Sequence, residues 1–170
     1  MTRIGLLSDS HGHAAITARA AAALVEAGAQ MLVHLGDVGS QAVLDALLIP
    51  TSGGGTVPVR VVFGNTDDDL EGLSRYARMI GIEVDHPGGR LMVDGKTLAF
   101  THGHIERLMR DALAAKVDYL CHGHTHRVRD ERVGVTRVIN PGALHRAARY
   151  SAAVLDAARD RVEFHWLDDR

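Results

Sequence analysis

Five stretches of the chain share one grammar: residues 4–11 (IGLLSDSH), 31–37 (MLVHLGD), 59–65 (VRVVFGN), 97–103 (TLAFTHG) and 118–126 (DYLCHGHTH). Each is a short apolar run that stops at a small or polar residue and then offers a carboxylate, an amide or an imidazole. Apolar runs that alternate with amphipathic ones predict a mixed α/β domain built partly from parallel strands. In open α/β sheets the ligand crevice lies beyond the carboxyl ends of the strands. The pattern therefore delivers Asp9, His11, Asp37, Asn65, His102, His124 and His126 to one edge. Any single ending is also an ordinary turn, where Gly bends the chain and Asp or Asn caps it. Five such endings together are more than turn chemistry alone supplies.

Between these segments, residues 15–27, 40–48, 68–80 and 105–116 read as helices, with Gly28 and Gly81 placed to end the first and third. Strands are expected over 3–8, 31–35, 60–63, 118–121, 127–132, 135–139, 151–155 and 161–166, and Asp94-Gly95 marks a hairpin inside 91–100. Residues 50–58 (PTSGGGTVP) form a plain loop. A phosphate-binding loop needs a following Lys-Ser/Thr and a helix, and here Val57-Pro58 leads into a strand.

The 170 residues suit a single domain over 1–170. A formal charge of −2 and 4% aromatic residues exclude a general nucleic-acid binder, which needs a basic field and stacking platforms. No signal-type segment and no apolar run near 20 residues is present, which predicts a cytoplasmic protein without a membrane partner. The single cysteine, Cys121, can form neither an intramolecular disulfide nor a Cys-rich zinc site and reads as a buried strand residue. The anomaly is 11 histidines.

Seven nitrogen and oxygen donors are too many for one tetrahedral ion but suit two ions about 3.5–4 Å apart that share a carboxylate, with Asp37 the natural bridge. The two carboxylates bring −2 against +4 from two divalent cations, while the four imidazoles and the amide are neutral. The surplus positive charge suits an oxyanion and favours phosphoryl substrates. The donors fit Mn, Fe, Zn, Ni or Co, with manganese first.

The blocks SDSHG (8–12), GD (36–37), GNTD (64–67), HGH (102–104), GHTH (123–126) and NPG (140–142) make the chain resemble the calcineurin-like metallophosphoesterases, and within them the short YfcE-type phosphodiesterases. The resemblance implies a four-layer α/β/β/α sandwich of two mixed sheets with a dinuclear site at its edge. It implies metal one on Asp9, His11, Asp37 and His126, and metal two on Asp37, Asn65, His102 and His124. His124 and His126 would alternate along an extended segment and so point the same way. Many members of the larger superfamily have His after the Asn, able to protonate the leaving group, whereas this chain has Thr66. A hydroxyl is no general acid at neutral pH, which lowers the expected rate, although YfcE-type members commonly lack that histidine too.

The expected activity is phosphodiester hydrolysis on a small substrate, with a metal-bridging hydroxide as nucleophile and Asn65 stabilising charge. A phosphomonoesterase or nucleotidase is the alternative. A scaffold like the small retromer subunit is disfavoured because all seven ligand positions stand, and a repair-type nuclease because the chain lacks a basic patch. No stable nucleic-acid binding is expected, and a homo-oligomer is left open. His104 and His13, each two residues from a ligand, are candidates for the cleft or for a supporting role. His34 is read as a core or supporting residue, His122 as packing nearby. Asp67 either caps the next helix, the favoured reading, or orients the ligands.

Overall fold

The computed structural model describes residues 1–167. Its strands are β1 (Arg3–Leu7), β2 (Met31–Leu35), β3 (Val59–Val62), β4 (Glu83–Val84), β5 (Gly88–Val93), β6 (Lys96–Thr101), β7 (Tyr119–Cys121), β8 (Arg129–Val133), β9 (Thr136–Asn140), β10 (Tyr150–Asp156) and β11 (Arg161–Leu167). The helices are α1 (Ala14–Glu26), α2 (Gln41–Ala46), α3 (Leu70–Met79) and α4 (Glu106–Ala114).

The strands form two mixed sheets, ordered β11-β10-β1-β2-β3-β4 and β5-β6-β7-β9-β8. Strands β1 to β4 run parallel in the first, and β6, β7 and β9 run parallel in the second, flanked by antiparallel edges. Side-chain alternation divides the core into three layers. Ile4, Leu6, Val33, Leu35 and Val62 meet Leu98, Phe100, Tyr119, Cys121 and Ile139 between the sheets. Their outward neighbours Leu7, Leu32, Val61 and Phe63 pack with Leu24 of α1, Leu44 of α2 and Leu73 of α3. On the far side Ala99, Leu120 and Val138 pack with Ala112 of α4. The result is the expected α/β/β/α sandwich. Strands covered on both faces must be apolar at nearly every position, which is why these runs read as continuous rather than alternating.

Three sequence readings need adjustment. Strand β4 was not expected, because two residues carry no legible period. The hairpin's first strand begins at Gly88, where two glycines hide the pattern. The cap of α3 is Asp69, whose side chain accepts from Gly72 N–H, and not Asp67.

Candidate metal centre

Parallel strands put their carboxyl ends on one rim. Beyond β1 stand Asp9 and His11, beyond β2 Asp37, beyond β3 Asn65, beyond β6 His102, and beyond β7 His124 and His126. The two sheets are stitched together at this rim: His102 Nδ1 lies 2.8 Å from the Leu35 carbonyl oxygen, and His124 N–H donates to Asp9 Oδ2 at 3.0 Å.

Two tight donor groups result. In the first, Asp9, His11 and His126 bring ligand atoms within 4.8 Å of one another, and in the second Asp9, Asp37 and His102 do so. Asp37 Oδ2 lies 3.4 Å from His11 Nε2 and 3.5 Å from His102 Nε2, so one oxygen stands between the two histidines. Asn65 Oδ1 joins at 3.2 Å from His102 Nε2. His126 Nε2 is 3.2 Å from Asp9 Oδ1. His124 is the looser member: its ring stands edge-on to His102 at 5.1 Å but belongs to neither tight group.

The tautomers suit ligation. A carbonyl only accepts, so Nδ1 of His102 must carry the proton toward Leu35, and Nδ1 of His126 does the same toward Arg146 at 3.3 Å. Each Nε2 is thereby turned into the site, the arrangement in which outer partners orient metal-binding imidazoles. Burial pushes the Asp9 carboxyl up against hydrogen bonding from Ser8 and the attraction of His102 and His126. Burial also works against Asp37, but hydrogen bonds from His102 and Thr66 N–H outweigh it and hold that carboxyl well below the usual range. Burial lowers His11, with Asp37 opposing, whereas the Asp37 hydrogen bond lifts His102 despite burial. Among the described residues Asp9 Oδ1 and His11 Nε2 are buried without a hydrogen-bond partner, which a divalent cation would satisfy. The donor set therefore fits metal.

The backbone carries the same signature. Asp9, His11, Asp37, His124 and His126 all have φ between 43° and 68°. For residues with a Cβ this left-handed region costs on the order of 1–3 kcal/mol each and persists where surroundings over-determine it. The finding corrects one expectation: His124 and His126 do not alternate along an extended segment but sit in left-handed turns after β7. Close approach does the rest. At Gly64 a Cβ would fall 2.0 Å from Asp37 Oδ1, so only glycine lets β3 end against that carboxylate.

The supporting residues are more numerous than the sequence suggests. Asp67 accepts from Val38, Gly39 and Gly64 N–H groups at 3.2, 2.7 and 2.8 Å, tying the loops after β2 and β3 together. Thr66 N–H donates to Asp37 Oδ1 at 3.0 Å, and its hydroxyl lies 3.5 Å from His11 Nδ1. Buried Asn140 donates to Gly123 O and Thr125 Oγ1 and accepts from Gly142 N–H, which explains the NPG block as a brace for GHTH. His34 is buried, Nε2 2.8 Å from Ser10 Oγ, with Nδ1 accepting from Gly36 N–H. His122 is buried against Gly123 O and Arg129, and Cys121 is a core residue whose thiol burial pushes up.

His104 lies beside the centre, its ring 5.3 Å from His102 and its Nδ1 buried without a partner; burial lowers its pKa. His13 is exposed and stacks on His145 at 4.3 Å. His145 itself, 5.3 Å from His11, was missed, because it follows a turn rather than one of the five strand endings.

With this geometry in place, comparison with known proteins is informative. Residues 2–160 match the calcineurin-like phosphoesterase superfamily domain. The chain is 27% identical over 157 residues to phosphodiesterase YfcE of Escherichia coli (strain K12), covering 85% of this chain and 80% of that one. It is also 27% identical over 148 residues to phosphodiesterase MJ0936 of Methanocaldococcus jannaschii, covering 82% of each. The solved structure of an archaeal phosphodiesterase superposes with a TM-score of 0.85 at 23% identity, over 98% of this chain and 100% of that one. Family match and fold agree: the chain belongs to the calcineurin-like phosphoesterase superfamily, whose members use divalent metals.

Proposed function

We propose that the chain, acting as one domain, is a dinuclear metal-dependent phosphodiesterase of small substrates, with manganese the leading candidate metal. Asp9, His11, Asp37 and His126 would hold one cation, and Asp37, Asn65, His102 and His124 the other. The observation that carries the reading is Asp37 Oδ2, which stands within 3.5 Å of a histidine from each set. Asp9 is the rival bridge, since it belongs to both tight donor groups. Asp37 is preferred because its Oδ1 is already engaged by Thr66, leaving Oδ2 free to be shared.

Divalent cations held there supply Lewis acidity that activates water and offsets charge on the phosphoryl group. The chain's own residues orient and exclude. Asn65 directs its carbonyl oxygen to His102, and its amide N–H groups would be available to a phosphoryl oxygen. The unpartnered His104 Nδ1 offers a further hydrogen bond at the same rim. Thr66 supports Asp37 and His11 rather than donating a proton, so fast turnover calls for esters with stable leaving groups.

Among the described residues no helix is long and apolar enough to cross a membrane, and the formal charge is −2. The charge supports an enzyme of small phosphoesters that forms no stable complex with nucleic acid, and a cytoplasmic location is part of the same proposal. The test is Asp37→Asn assayed on bis(p-nitrophenyl) phosphate with metal content measured in parallel. Turnover should vanish while the circular dichroism spectrum stays native. Near-wild-type diesterase activity in that variant would defeat the assignment, and faster turnover of p-nitrophenyl phosphate by the wild type would favour a phosphomonoesterase.

A further inference from the structure

A cavity of about 710 Å³ opens beside the metal centre, with His124 and His126 in its wall. Its remaining lining is unlike the rest of the rim: Arg127, Arg146 and Arg149 bring three guanidinium groups, Trp166 brings an indole, and among the described residues no carboxylate contributes. The volume lies within the range of small-molecule sites, roughly 300–1,000 Å³, and far exceeds the needs of a bare phosphoryl group. Arg149 stacks its guanidinium 4.7 Å from the Trp166 ring centroid, which holds the indole from one side. Trp166 is nonetheless 47% exposed, an unusual state for so large an apolar side chain. Among the described residues Arg127 and Arg146 make no ion pair.

The wall is also tied to the centre. The Arg146 carbonyl accepts from His126 Nδ1, so the residue that orients a candidate ligand is the one that presents a guanidinium to the cavity. Arg146 stands in the left-handed region at φ 50°. A substrate whose phosphorus sits at the metals would extend its ester group across the arginines onto the indole. Guanidinium groups recognise anionic oxygens, and an exposed indole recognises a flat ring. One small molecule carries both within this span.

We infer that the cavity receives a nucleotide group of a small phosphodiester, its base on Trp166 and its negative charge on Arg146 and Arg149. This rests on the phosphodiesterase reading for the chemistry, but the binding can be tested apart from it. Trp166 is the only tryptophan, so its fluorescence reports directly on the cavity. In metal-loaded protein, adenosine 5′-monophosphate should quench it saturably and bind at least about tenfold more tightly than ribose 5-phosphate, because stacking on an aromatic side chain is worth that much. Arg149→Gln and Arg146→Gln should each weaken that binding several-fold. On turnover, Trp166→Ala should lower kcat/KM for thymidine 5′-(p-nitrophenyl phosphate) about tenfold more than for methyl p-nitrophenyl phosphate, and Trp166→Phe should restore most of the difference. Equal affinity for adenosine 5′-monophosphate, ribose 5-phosphate and inorganic phosphate, or no quenching, would overturn the inference. Tighter binding of a single-stranded oligonucleotide than of the mononucleotide would overturn the small-substrate assignment. Saturable quenching without turnover of either ester would uphold the cavity and defeat the phosphodiesterase, whereas turnover of the methyl ester without quenching would do the reverse.

Discussion

Asp67 shows how one side chain outside the donor set governs it. Its two oxygens accept three backbone N–H groups that anchor the loops carrying Asp37 and Asn65. Asp67→Ala should strand those donors, lowering stability by roughly 1–3 kcal/mol and activity by about 10–100-fold, measured by urea unfolding and by diesterase assay. His34 acts on stability instead. Burial lowers its pKa to about 3, with His102 adding to the effect, so between that value and the ordinary 6.5 the unfolded chain binds a proton that the native chain refuses. Stability must then rise with pH across this window, and acidification below about 6.5 removes it by up to about 1.4 kcal/mol per unit. His34→Gln should flatten the slope of unfolding free energy against pH between 4 and 6 in chelator-treated protein; an unchanged slope would refute this.

At the scale of elements, the candidate metal centre depends on where strands stop. Strands β1, β2 and β3 run parallel to one another, as do β6 and β7, and all five end at one rim, where each hands the chain to a tight turn. The turn after β3 has no spare volume, since a Cβ on Gly64 would meet Asp37 Oδ1 at 2.0 Å and Asp37 N at 2.6 Å. Backbone on one side and a fixed carboxylate on the other leave nothing to yield. Gly64→Ala should therefore displace Asp37, cutting bound metal below one equivalent and turnover at least about a hundredfold, while far-ultraviolet circular dichroism remains native. These strand ends were legible in the sequence because strands buried on both faces are apolar throughout and their polar ends stand out. The short β4 and the glycine-led start of β5 were not, because neither carries a hydrophobic period.

For the whole molecule, the two sheets share a continuous apolar layer, and the centre lies across their common edge. Metal bound there links the sheets and stabilises only the folded state. At a hundredfold excess over its dissociation constant it should add about 2.7 kcal/mol. Chelation should accordingly lower Tm by roughly 5–10 °C in a domain of this size, with recovery on adding metal, read by scanning calorimetry. A Tm indifferent to chelator would mean that no ion bridges the sheets.

By itself the sequence determined the mixed α/β class of fold and singled out the candidate donors, because both depend on local pattern: apolar runs of strand length, and side chains able to ligate placed directly after them. The four-layer arrangement followed only from the resemblance of the motif blocks to a known family, whereas the seven candidate positions were named from the residues that follow the strand runs. Only the tertiary structure decided that Asp37 Oδ2 stands within 3.5 Å of both His11 and His102, that five of the seven positions adopt left-handed backbone, that Asp67 braces loops instead of capping α3, and that Arg146 and Trp166 line one cavity with His126. Those relations join segments far apart in the chain, and the distance between such segments is set by the packing of the two sheets, which no local pattern encodes.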